Sequence, residues 1–272
     1  MKRAVLLLLL GCETHRAATQ QSAEPHPVPA VSPSAAPSAS VPAPPPLPHS
    51  GELVDLPVEG YGDAVVAVPE SAPRARPLLV ATHGNYDRPN WQCEEWRRVV
   101  GTRAFVLCPR GEARSDSPSR SDVRFTYASN EKLERELEAA IKALEERFAP
   151  HVDTKDVVYT GFSLGAIQGA KIAARNPERY PRLVLVEGGY DRWTAESAKA
   201  FAKAGKRVLF VCGQKGCQLT AAQSVKLLER AGAQGRTLLA DGMGHSYGGA
   251  MNELVAENLG WLTEGDDRWS DG

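Results

Sequence analysis

Val157-Val158-Tyr159-Thr160-Gly161-Phe162-Ser163-Leu164-Gly165 is an apolar, β-branched run that breaks on a glycine, presents a serine and passes a second glycine. Ala166 to Arg175 follows as a helix-forming piece. A strand that turns this abruptly into a helix puts the serine in a sparsely populated backbone conformation. The flanking positions must then be small, so that neighbouring backbone can pass close by. The hydroxyl stands above the sheet at a helix N-terminus, where backbone N–H groups can receive an oxyanion. A bare Gly-x-Ser-x-Gly arises by chance, but a strand before it and a helix after it give it the context of a nucleophile elbow.

Outward from this turn, strand-like and helix-like patterns alternate from Glu52 onward. Leu53 to Val58, Ala64 to Val68, Pro77 to Thr82 and Ala104 to Cys108 read as strands, with a short helix over Trp91 to Val99. A polar loop runs from Pro109 to Arg124. The clearest helix is Asn130 to Phe148, where Leu133, Leu137, Ile141, Leu144 and Phe148 line one face at steps of three and four. Beyond the serine come strands at Arg182–Glu187, Arg207–Val211 and Gly235–Ala240. Helices are expected at about Ala195–Ala204, Thr220–Arg230 and Tyr247–Leu262. Apolar strands alternating with helices imply an α/β fold, a mostly parallel sheet of about eight strands with helices on both faces.

A serine hydroxyl needs an adjacent base, and the chain has six histidines. His15, His26 and His49 lie in an N-terminal tether. His151 follows the long helix beside Pro150 and reads as a surface residue, and His83 as a loop-shaping one. That leaves His245, in Gly242-Met243-Gly244-His245-Ser246-Tyr247 just after the last strand, where a glycine-rich loop can bring it over the serine.

With His83-Gly84 after one strand, Gly161-Phe162-Ser163-Leu164-Gly165 after another and Gly244-His245 after the last, the chain resembles the α/β-hydrolases over about Glu52 to Gly265. The resemblance implies the three-layer α/β-hydrolase fold, Ser163 as nucleophile and His245 as base. It also places the oxyanion hole at the N–H of Leu164 plus one from Asn85 or Tyr86. The acid departs from the common pattern. Where many family members carry an aspartate after the penultimate strand, this chain has Cys212-Gly213-Gln214-Lys215-Gly216-Cys217. Some relatives take the acid from the end of the preceding strand, here Val186-Glu187-Gly188-Gly189-Tyr190-Asp191. Glu187 is the first choice because it is the first polar residue past an apolar strand. Asp191 is the second.

The N-terminal fifty residues are not globular. Met1-Lys2-Arg3 and the leucine run to Leu10 suit a secretory signal, and Leu9-Leu10-Gly11-Cys12 resembles a bacterial lipoprotein signal. That resemblance implies a signal peptide over 1–11, a lipidated Cys12, export to the cell envelope and a lipid anchor as the one membrane contact. Half of the 20 prolines fall between Pro25 and Pro48, so 12–50 is expected to be an extended tether. The hydrolase domain is placed at 51–265 and a polar tail at 266–272. Five cysteines in an exported chain read as one lipid site and two disulfides, with the local pairs Cys93–Cys108 and Cys212–Cys217 favoured among three connectivities.

A formal net charge of −1 offers no field for nucleic acid. Asp87, Asp116 and the Cys212/Cys217 pair lack the further ligands that a metal would need, and no dinucleotide fingerprint is present. The expectation is a monomeric, cofactor-free serine hydrolase acting on a small or polymeric carboxylic ester; peptide, thioester and acyl-transfer chemistry stay open on this fold. The alternative is an idle hydrolase-like surface lipoprotein that binds a ligand or partner.

Overall fold

The computed structural model describes residues 45–270. The signal segment 1–11, Cys12 and the tether as far as residue 44 lie outside the described residues.

In chain order the elements begin with β1 (Leu53–Leu56), β2 (Ala64–Ala67), β3 (Arg76–Thr82), α1 (Pro89–Val100) and β4 (Phe105–Cys108). A small hairpin of β5 (Glu112–Ala113) and β6 (Phe125–Thr126) precedes α2 (Asn130–Phe148), β7 (Val152–Phe162) and α3 (Leu164–Arg175). Then follow β8 (Arg182–Val186), α4 (Ala195–Phe201), β9 (Arg207–Cys212), α5 (Lys215–Ala231), β10 (Gln234–Leu239) and α6 (Ala250–Thr263). The main sheet has eight strands in the order β1-β2-β4-β3-β7-β8-β9-β10. Its first two pairings are antiparallel and the rest parallel.

Strand residues alternate between two cores, as a pleat requires. Leu78, Val80, Leu183, Leu185, Val208 and Phe210 pack with α2, α3, α4 and α5 on one face. Leu79, Ala81, Val184, Val186, Leu209 and Val211 pack with α1 and α6 on the other. This makes the three layers expected from the strand pattern. Burial on both faces explains why the strands read as continuous apolar runs.

Local signals set the helix ends. Ser129 caps α2 by accepting the N–H of Lys132, and a Thr194/Ser197 capping box opens α4. Both expected disulfides are present, Cys93–Cys108 between α1 and β4, and Cys212–Cys217 across the turn from β9 into α5.

Several expectations need correction. The polar loop after β4 contains β5, which pairs with β6 just past the loop's end. α5 begins at Lys215 instead of about Thr220, and α6 at Ala250 instead of Tyr247. His151 is buried at 3% exposure, because its N–H donates to the Phe148 carbonyl and its carbonyl accepts from Arg76 N–H. Leu47, within the segment read as tether, packs against the core. The segment read as a polar tail forms a single 3-10 turn at Asp267–Trp269, and Trp269 is buried.

β3 and β7 are neighbours at the centre of the sheet. From β3 the chain crosses through α1 on one face to β4, and from β7 through α3 on the other face to β8. The crevice at their carboxyl ends is therefore a topological switch point, where open α/β sheets bind ligands. The loops after β3, β7, β8, β9 and β10 all leave from this edge.

Candidate active site

Ser163 joins β7 to α3 with φ 51° and ψ −111°. A non-glycine residue held there stores roughly 1–3 kcal/mol of strain. The fold holds it with two backbone bonds: Ser163 N–H to the Val186 carbonyl at 2.9 Å, and Gly165 N–H to the His83 carbonyl at 3.1 Å. Gly165 has no room for a side chain, since a Cβ would lie 2.5 Å from the Thr82 carbonyl oxygen. Tight contact between the elbow and the end of β3 is what lifts the serine out of the sheet.

His245 arrives on the loop after β10. Its Nε2 is 2.8 Å from Ser163 Oγ and its Nδ1 is 3.2 Å from Glu187 Oε2. If Nδ1–H donates to the carboxylate, Nε2 is left as the acceptor for the serine proton. The ring leans on Phe162 at 5.1 Å between centroids. Glu187 sits just past β8 with φ 50° and is buried. Its other carboxylate oxygen, Oε1, accepts the N–H of Gly213 at 2.5 Å. Asp191, by contrast, is exposed and pairs with Arg192 at 3.1 Å. The structure thus brings Ser163, His245 and Glu187 into one hydrogen-bonded line and leaves Asp191 out of it.

For the oxyanion the two alternatives separate. Tyr86 has a left-handed backbone, φ 62°, and its N–H donates to the Phe125 carbonyl at 3.0 Å. The Gly84 N–H is also spent, on Asp87 Oδ2 at 3.2 Å. Among the described residues the N–H groups of Asn85 and Leu164 have no acceptor. Of the two alternatives for the second donor, the Tyr86 N–H is thus taken by the Phe125 carbonyl of β6 and that of Asn85 is not.

Two residues with no role in the sequence-based expectations hold these loops together. Asp87 is buried, and its Oδ2 accepts from Gly84 N–H and from Gln92 Nε2 at 3.2 Å. Its Oδ1 accepts from Arg88 N–H at 2.8 Å and from the Tyr247 hydroxyl at 3.0 Å. It thus fastens the loop after β3 to the loop bearing His245. Burial, and then the Asp87 charge, pushes the Tyr247 hydroxyl's pKa up, which keeps it a donor. Asp87 and Tyr247 are 160 positions apart, so no local pattern links them.

His83 stays behind the site. It is fully buried and stacked on Tyr127 at 4.3 Å, and its ring nitrogens face the carbonyls of Gly84 and Arg110. Burial pulls its pKa below the ordinary value, against the two carbonyls that favour the charged form.

Beside Asn85, Arg114 bonds the Asn85 side chain at 2.9 Å and lies 5.4 Å from the Tyr86 ring. Arg124 is sandwiched between the rings of Tyr86 at 5.6 Å and Trp91 at 4.5 Å. Trp96 and Trp193 are buried packing residues, whereas Trp91 is exposed on this arginine–aromatic ladder. Glu187, Cys212 and Cys217 are the one group of metal-ligating side chains, among the described residues, close enough to share an ion. With both sulfurs in a disulfide, only the carboxylate remains to ligate.

No family model matches this chain, and no curated protein matches it in sequence. Solved structures do match. It is similar to an uncharacterised Bacillus cereus protein (TM-score 0.55, 18% identity), covering 71% of this chain and 60% of that one. It is also similar to the esterase PE8 (TM-score 0.56, 16% identity), covering 77% of this chain and all of that one. An S-formylglutathione hydrolase from Agrobacterium tumefaciens matches at TM-score 0.54 and 15% identity, over 78% of this chain and 93% of that chain. At such identities the likeness is one of architecture. The chain has the three-layer α/β-hydrolase fold, with an eight-stranded, mostly parallel sheet.

Proposed function

We propose that this protein is a serine hydrolase that cleaves a carboxylic ester through an acyl-enzyme. The observation that carries this reading is the line from Ser163 Oγ through His245 to Glu187, with bonds of 2.8 and 3.2 Å. Ser163 attacks the carbonyl as His245 Nε2 takes its proton, and Glu187 stabilises the imidazolium that forms. The N–H groups of Leu164 and Asn85 receive the oxyanion. His245 returns the proton to the leaving group, and water then releases the acyl group by the same steps. The esterase that shares the fold is in keeping with ester chemistry.

The site is open. His245 is 54% exposed, and the chain from β8 to β9 carries only the short helix α4. That openness favours an unlidded enzyme acting on small or polymeric esters. The idle, ligand-binding reading rested on the missing aspartate after β9, and Glu187 beside His245 supports the enzyme reading over it.

A fluorophosphonate probe decides between the two. The purified, folded protein should label on Ser163 and lose the label in Ser163→Ala; a folded protein that does not label is not a serine hydrolase. A panel of p-nitrophenyl esters and amides then sets the substrate class. No described helix is long and apolar enough to cross a membrane, and two disulfides suit an oxidising compartment. The disulfides support export, and the lipoprotein-like Leu9-Leu10-Gly11-Cys12 is what supports anchoring through Cys12. Cys12→Ser should move the protein from the membrane fraction to the soluble one, and its retention there would remove the anchor.

A further inference from the structure

The turn after β9 carries no acid, yet it touches both of the groups that would act with Ser163. Gly213 donates its N–H to Glu187 Oε1 at 2.5 Å. Its carbonyl accepts the N–H of Gly244, the residue before His245, at 3.2 Å. Nothing larger than glycine fits between them, since a Cβ on Gly213 would lie 2.2 Å from the Gly244 carbonyl oxygen and 2.5 Å from Met251 Cε. On either side of Gly213 and its neighbours stand Cys212, the last residue of β9, and Cys217, in the first turn of α5. They are joined by a buried disulfide whose sulfurs lie within 4.8 Å of the Glu187 carboxylate.

We propose that Gly213, fixed by the Cys212–Cys217 disulfide, is a positioning residue that aims the Glu187 carboxylate at His245. This rests on the serine-hydrolase reading above. A glutamate has one more rotatable bond than the aspartate found in many α/β-hydrolases, and its terminal torsion is broad. Two anchors are needed to aim one oxygen. The N–H of Gly213 holds Oε1, which leaves Oε2 on the His245 side. The disulfide keeps that N–H in place. A cross-link over five residues removes little chain entropy, and β9 and α5 already hold its two ends. Its effect is therefore local. In this chain the turn that commonly supplies the acid instead cradles an acid supplied by β8.

The test is a double-mutant cycle on an activated p-nitrophenyl ester. Cys212→Ala/Cys217→Ala should lower kcat by about 10- to 100-fold, the range expected from a small misplacement of a reacting group, with KM unchanged. In the Glu187→Gln background the same pair of substitutions should change kcat by less than about twofold, because the group they position is gone. Equal losses in both backgrounds, or no loss in the first, overturn the proposal.

If the double alanine variant does not fold, the wild type and Glu187→Gln, both with all their cysteines, are treated with dithiothreitol. The reagent passes two electrons and two protons to the disulfide and ends as a cyclic disulfide itself. Mass mapping of alkylated thiols shows which pair has opened, and the same comparison of rates applies. Gly213→Ala, which wedges the acid and histidine loops apart, should mimic the kcat loss while the disulfide stays intact. A folded wild type whose Ser163 does not label removes the parent reading and this one with it. A labelled, active wild type with additive losses removes only this one.

Discussion

Glu187 and Asp191 follow the same strand only four positions apart, and the local sequence favours Glu187 by its place at the strand end without fixing which one reaches the histidine. The backbone decides. At φ 50° the chain turns at Glu187 so that its carboxylate points under the loops, while Asp191 lies in the open against Arg192. Glu187→Gln should cut kcat by about 10⁴-fold, as amide replacement of a triad acid does elsewhere. Asp191→Asn should leave the rate within about twofold, like other surface changes. Steady-state kinetics on one ester compare the two, and the reverse order would move the acid to Asp191. Ser163 and His245 were legible because each stands among glycines at the end of an apolar strand. Asp87 and Tyr247 were not, since their bond joins loops that only the folded sheet brings together. Tyr86 and Asn85 read as equivalent until the Phe125 carbonyl claimed one of the two N–H groups.

At the scale of elements, strong periodicity was legible and turn-bound structure was not. α2 runs from Asn130 to Phe148, as its apolar face and capping serine dictate. The early start of α5 was hidden because Gly213 and Gly216 suggest a loop, whereas the Cys212–Cys217 bond and the following apolar positions draw the helix forward. The two-residue strands β5 and β6 are too short to carry a period; the hairpin is fixed by Phe125, which pairs with Asp87 on the far side of the site. The junction of β7 and α3 tolerates little change. Gly165→Ala would drive a methyl group into the Thr82 carbonyl, and separating these elements would move Ser163 from His245. We expect this variant either to fail to fold or to fold with activity down at least about 100-fold. Circular dichroism with ester turnover reads both outcomes, and a folded, fully active Gly165→Ala would contradict the packing described for the elbow.

At the scale of the whole molecule, the last described residues close the domain. Arg182, at the start of β8, has 0% side-chain exposure, and its guanidinium lies 3.4 Å from Asp266 Oδ2. Asp266 also takes two bonds from Arg268, each of 2.7 Å. Burial alone would raise the Asp266 pKa, but the Arg268 hydrogen bonds and the charges of Arg268 and Arg182 hold it below the ordinary value. A carboxylate with a lower pKa folded than unfolded adds stability that is complete above its unfolded pKa, about 3.9. That contribution is lost as pH falls through the folded value. Melting curves should therefore show this contribution intact at neutral pH and failing below about pH 4. Asp266→Asn leaves the Arg182 charge buried without its counter-charge, and should cost about 3–5 kcal/mol in urea denaturation at pH 7. A loss under about 1 kcal/mol would show that this pairing does not hold the C-terminal turn. Composition alone described this segment as polar; the buried partner of Asp266 lies some eighty positions upstream, and Trp269 is buried in the apolar core.

Of the five tryptophans, Trp91 alone stands in the exposed class, and its indole is stacked under Arg124, which also covers the Tyr86 ring next to Asn85. The protein therefore carries its own optical gauge. Iodide, an anionic quencher drawn toward arginine, should dim the half-buried Trp261, which lies against Arg236 and Arg207, and with it Trp91. An inhibitor seated at Asn85 and Tyr86 should shield Trp91, so occupancy of the cleft could be followed by intrinsic fluorescence, without a label.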